Sequence, residues 1–127
     1  EFYFSWGNAL ENVFVFDIET IPDVSLGRRL LGCHGLSDDE VAKAMQLKQV
    51  QQSGNDFLKH HLHRIVAISA VFRHRDQLNV WSLGEENSSE PELIKRFFDG
   101  IDKFKPTLIS WNGTGFDLPV LHYRALI

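Results

Sequence analysis

The apolar and polar positions of this chain change period from segment to segment, and each change marks an element. Residues 13–19, Val-Phe-Val-Phe-Asp-Ile-Glu, are dense in β-branched and aromatic side chains. They read as a strand over 13–18 at a sheet centre, buried on both faces. Alternation puts Val13, Val15, Asp17 and Glu19 on one face and Phe14, Phe16 and Ile18 on the other. Residues 64–75 carry a long strand pattern, Asp76-Gln77 suits a tight turn, and Leu78 to Leu83 alternate again. That pair reads as a hairpin. Thr107 to Trp111 is a fourth, short strand, broken by Asn112-Gly113.

Helical spacing fills the intervals. Residues 23–60 form a helical insertion, in which Ser37 and Glu40 have capping-box spacing ahead of a helix over 38–52. Val41, Ala44, Met45 and the stem of Lys48 share one of its faces. Glu90-Pro91-Glu92 opens a second helix with Leu93, Ile94, Phe97, Phe98, Ile101 and Phe104 on its apolar face, and Lys105-Pro106 ends it. From Asp117 onward, Leu118, Leu121, Ala125 and Leu126 recur at helical spacing, with Pro119 in the first turn. The order is that of an α/β protein. A right-handed crossover through the helix opened at Glu90 sets the fourth strand beside the first, which carries Asp117 toward Asp17 and Glu19.

Composition narrows the class. At 127 residues, with 43% hydrophobic and 24% charged residues, the chain is an ordinary globular one, read as a single domain. The lone Cys33 excludes an internal disulfide framework. Neither a signal peptide nor a membrane-length apolar run is present, and the default compartment is the cytoplasm. A net charge of −4 argues against a protein that coats duplex nucleic acid. It is compatible with an enzyme that grips only a strand end, because bound cations offset acids locally.

The acids carry the candidate chemistry. Two carboxylates on one face of a central strand, with no cation between them, demand a raised pKa or a bound cation. A hard divalent ion, Mg²⁺ or Mn²⁺, satisfies both charges. The competing reading ends the strand at Ile18, where Thr20-Ile21-Pro22-Asp23 signals a turn, and leaves both acids in water. Asp117 sits where a strand hands over to a helix, the place where ligands gather in open α/β sheets, and also where Asp serves as a plain N-cap. His60, His61 and His63 lack a fourth-ligand partner and read as structural or surface residues, as does Cys33-His34.

Taken together, FDIET (residues 16–20) and WNGTGFDLP (111–119) resemble the first and second motifs of the DEDD superfamily of 3′-5′ exonucleases. The closer likeness is to the bacterial group similar to the proofreading domain of family B DNA polymerases. Ile21-Pro22-Asp23, His63 to Val66 and Pro119 to Leu126 also fit, so the resemblance covers most of 13–127. It implies a ribonuclease H-like mixed sheet with its four strands, numbered along the chain, in the order 3-2-1-4. It also implies that Asp17, Glu19 and Asp117 are catalytic metal ligands for two divalent cations, Mg²⁺ or Mn²⁺, about 3.5–4 Å apart. Thr20, Asn112 and Phe116 would line the strand end, with Phe116 or Trp111 as a stacking face; core packing is the competing role for those two.

The third motif of that superfamily, a Tyr or His four residues before a last Asp, does not follow the second motif here: four residues after Tyr123 stands Ile127. The chain therefore reads as a C-terminally truncated exonuclease domain that lacks a fifth strand and a final helix and is nearly inactive by itself. Apolar surface around Leu121, Leu126 and Ile127 would then favour self-association. The implied substrate is the 3′ end of a single strand, DNA more than RNA. The alternative is a non-catalytic module with the same fold that binds nucleic acid or protein. Residues 1–12 match nothing in the family pattern: an added strand, a contact surface and expression-derived residues all stay open.

Overall fold

A computed structural model of the chain describes residues 2–4, 12–74, 76–84, 87–110 and 113–127. The chain divides into two compact units, Glu1–Thr20 with Ile65–Ile127, and Ile21–Arg64.

The first unit is built on β2 (Asn12–Pro22), flanked by β3 (His63–His74) and β5 (Thr107–Ser110). With β4 (Gln77–Leu83) and β1 (Phe2–Phe4) at the edges, the sheet runs β1-β5-β2-β3-β4. β5 is parallel to β2, with Val13 opposite Thr107 and Val15 opposite Ile109. β3 and β4 form the expected antiparallel hairpin, in register from Ile68–Leu83 to His74–Gln77. Asn12 meets His74 while Phe14 meets Phe72, so β2 and β3 run in opposite directions. The four strands expected from the pattern thus lie in the order 3-2-1-4, a mixed α/β sheet of ribonuclease H type. β1 adds a fifth strand, pairing antiparallel to β5 with Phe2 opposite Ser110.

One expectation for β2 fails. Phe14, Phe16 and Ile18 are buried, but Val15 is 41% exposed and Asp17 and Glu19 face outward. The reason is where the helices go. The apolar faces of α3 (Glu90–Phe104) and α4 (Leu118–Ala125) join one cluster with Phe14, Phe16 and Ile18. The ring of Phe97 lies 5.0 Å from that of Phe16 and 5.7 Å from that of Phe14. Density of apolar residues reported a buried strand, and only the alternation within it reported which face.

The helices show two smaller shifts. Ser89 caps α3 by accepting from the Glu92 amide at 3.3 Å. Leu93, Ile94, Phe97 and Ile101 then form a buried stripe, while Phe98 falls on its flank and is exposed. In α4 the buried positions are Val120, Leu121 and Arg124, rather than Leu118, Leu121, Ala125 and Leu126. Leu121 is therefore core and adds nothing to an uncovered surface, although Leu126 and Ile127 are exposed.

The second unit has its own small core of Val41, Met45 and Leu58, packed by Val24, Leu31 and Leu62. α1 (Val24–Leu31) begins at Asp23, whose carboxylate accepts from the Leu26 amide at 3.0 Å. α2 (Asp38–Ser53) starts at the Ser37 cap: Ser37 Oγ accepts from the Glu40 amide and donates to Glu40 Oε1, both at 3.2 Å. Gly27 lets α1 approach α2, since a Cβ there would lie 2.4 Å from Met45 Sδ. Arg28 is tied to Asp38 at 2.6 Å. His63 bonds the Leu58 carbonyl at 3.1 Å, and its ring lies tilted against that of Phe57, centroids 5.2 Å apart.

Candidate active site

β2 does not end at Ile18 but continues to Pro22, so Asp17 and Glu19 belong to the strand itself. Both stand on its outward face, two residues and about 7 Å of strand apart. Among the described residues, neither makes an ion pair with Lys, Arg or His. Beside Asp17 the same sheet face forms a groove of about 760 Å³ lined by Val15, Ser69, Val71, Val80 and Ile109.

Asp117 reaches the site from the other side of the crossover. β5 stops at Ser110, and the chain returns through a wide, π-type turn over Gly113–Asp117 into α4. Such widened turns recur at functional positions because they re-aim side chains. Asp117 precedes the helix and makes no side-chain cap bond to it. Its carboxylate turns inward instead, 4% exposed, and accepts from Ser110 Oγ at 2.7 Å. The backbone amide of Ile18, between Asp17 and Glu19, also bonds to it. Burial raises the Asp117 pKa above its ordinary value, and the charge of Asp17 adds to the rise; the Ser110 hydroxyl and the Ile18 amide oppose it.

Two of the three acids named from sequence are thus electrostatically joined, and the third lies one repeat further along the same strand face. They do not form a closed cluster: among the described residues, no three His, Cys, Asp or Glu side chains gather tightly enough to hold a metal ion. The donor chemistry nevertheless suits a hard cation. Every donor is a carboxylate oxygen, two of the acids repel one another, and the buried one has no cationic partner among the described residues.

The other named residues scatter. Thr20 is half-buried and, by alternation, on the face opposite Asp17 and Glu19. Phe116 packs against the core cluster. Asn112 and Trp111 lie outside the described residues. Sequence reasoning missed Ser110, whose only signal was a hydroxyl on the last position of an apolar strand. It also missed what Arg124 does, because the helical stripe was phased one step away.

The comparisons with known proteins bear on the family of the chain. A family described as "Predicted 3'-5' exonuclease related to the exonuclease domain of PolB" matches residues 55–127. The chain belongs to that family. The matched stretch contains Asp117 and begins after Asp17 and Glu19. The PolB-related assignment is echoed by the "DNA polymerase 1" of Sulfurisphaera ohwakuensis, 50% identical over 42 residues. That similarity covers 33% of this chain and only 5% of the polymerase. No solved structure gives a significant match. No helix among the described residues is long and apolar enough to cross a membrane.

Proposed function

We propose that this chain carries part of the catalytic site of a cytoplasmic, divalent-cation-dependent 3′-5′ exonuclease that trims single-stranded nucleic acid, DNA in preference to RNA. The observation that carries the proposal is Asp117, an acid turned into the protein beside Asp17 and bonded to the amide of Ile18. A carboxylate that merely capped a helix would point at the first-turn amides and gain stability there. This one gives up its cap bond for a buried place next to a like charge, which raises its pKa and costs stability. A cation held by Asp17, Glu19 and Asp117 removes that cost.

When bound, one or two Mg²⁺ or Mn²⁺ ions would supply an activated water and neutralise charge on the phosphate. The protein's own residues do the rest. Asp17 and Glu19 project from a strand held on its far face by Phe14, Phe16 and Ile18, so their backbone positions are rigid. Ser110 and the Ile18 amide hold the Asp117 carboxylate at a fixed angle. The groove along Val15, Ser69, Val71 and Val80 gives a terminal nucleotide an apolar floor leading to Asp17. Thr20, Asn112 and Phe116 remain candidates for contact with the strand end.

These 127 residues contain three of the superfamily's four carboxylates, so metal binding should be weak and digestion slow in this stretch alone. The looseness of the three acids favours one other reading, a module that binds nucleic acid without cutting it. Calorimetric titration with Mn²⁺, alongside digestion of a 5′-labelled single strand, separates the two. Metal binding lost in Asp17→Asn, with stepwise loss of 3′ nucleotides, supports the nuclease. Strand binding indifferent to chelator and to Asp17→Asn supports the binding module.

A further inference from the structure

A second, largely buried carboxylate lies on the core side of the same unit. Glu90, the first residue of α3, accepts from Arg124 Nε at 2.9 and 3.1 Å and from Arg124 Nη2 at 2.6 Å. Its Oε2 also accepts from the Ile65 amide of β3 at 2.6 Å. Both side chains are largely hidden, Arg124 at 3% exposure and Glu90 at 13%. One carboxylate thus joins β3, the start of α3 and the last turn of α4. Each partner also suits its helix end, an acid at an N-terminus and a base at a C-terminus.

α4 begins at Leu118, immediately after Asp117, and Arg124 lies seven residues further on. Over two helical turns, about 10 Å, the helix behaves as a short rod. Val120 and Leu121 seat its middle in the core, but apolar contacts resist rotation and tilt weakly because they are non-directional. The forked guanidinium–carboxylate contact is directional. We infer that Glu90 and Arg124 are positioning residues for Asp117: they set the tilt of α4 and so hold the Asp117 carboxylate against Ser110 and the Ile18 amide. The inference rests on the proposed metal site only for its consequence, not for its geometry.

The test uses three variants of the whole chain that preserve most of the packing. Arg124→Lys keeps the charge and loses the fork, Glu90→Gln keeps the acceptor for Ile65, and Glu90→Asp keeps the pair but shortens it. Amide NMR reads the site without metal. The Ile18 amide resonance should move in each variant toward its position in Asp117→Asn, while the amides of the β3–β4 ladder stay in place. Titration with Mn²⁺ should show binding weakened about tenfold, a loss of 1.4 kcal/mol. With substrate, kcat should fall while KM holds. If the variants are merely less stable and the Ile18 amide does not move in the folded protein, the positioning role is wrong, whatever Mn²⁺ does. If Ile18 moves and the wild-type chain itself binds no Mn²⁺, the positioning role stands and the nuclease reading falls.

Discussion

Asp117 is a buried carboxylate and Glu90 a largely buried one of the same compact unit, and they have been treated oppositely. Glu90 meets a guanidinium and a backbone amide, so its charge is matched by hydrogen-bond donors of opposite sign. Asp117 meets a hydroxyl, an amide and the field of another acid. The first arrangement is complete within the protein. The second is short of positive charge, and burial with Asp17 nearby raises its pKa. On the proposed reading, a fold that hides two acids, neutralises one and leaves the other wanting has separated a structural role from a role toward something outside itself. That contrast, rather than the presence of acids as such, distinguishes the site.

The largest effect that could sharpen the contrast is on stability. Arg124→Ala strands Glu90 as a buried unpaired charge and should cost about 3–5 kcal/mol, read from urea unfolding. A loss below 1 kcal/mol would show that Glu90 can reach water, and the two acids would no longer differ in kind. Next comes activity. Asp17→Asn should lower 3′ digestion by roughly 10²–10³-fold. It should leave stability unchanged or slightly higher, since a charge that raises the Asp117 pKa is gone. An undiminished rate would detach Asp17 from the chemistry.

Ser110→Ala removes the hydroxyl that donates to Asp117 and should cost about 1–3 kcal/mol, read from urea unfolding. The smallest effect is also the most diagnostic. With its pKa raised above 3.8, native Asp117 holds its proton more tightly than the unfolded chain does. Its penalty is therefore absent well below pH 3.8, grows as pH rises through the native value, and stays constant beyond it. Asp117→Asn should match the wild type in Tm at low pH and exceed it modestly at pH 7 without metal. Saturating Mn²⁺ should then raise the wild-type Tm and leave the variant unmoved. A variant less stable than the wild type at pH 7 would place Asp117 with Glu90, as a structural acid.

Much of this is legible in the sequence, and the reason differs from residue to residue. The shared face of Asp17 and Glu19 follows from the two-residue period of a strand, a local property. The cap at Ser37 is equally local, and the helix it opens runs Asp38–Ser53 against an expected 38–52. The order 3-2-1-4 was what the family resemblance implied, and a right-handed crossover rule, which needs no side chains, placed the fourth strand beside the first.

What sequence could not determine were the choices made between elements. The outward face of β2 stayed open because α3 and α4 both pack on the Phe14–Phe16 side; alternation separated the two faces of the strand, and only the packing of the helices left one of them uncovered. Phe2–Phe4 joined the edge of β5, a pairing set by a distant partner strand. Asp117 abandoned its cap for Ser110 and Ile18, and Arg124 turned inward to Glu90, across 34 positions of sequence. Local patterns report a residue's own backbone. Whether a charge is matched depends on what the folded chain brings beside it, and that only the tertiary structure decides.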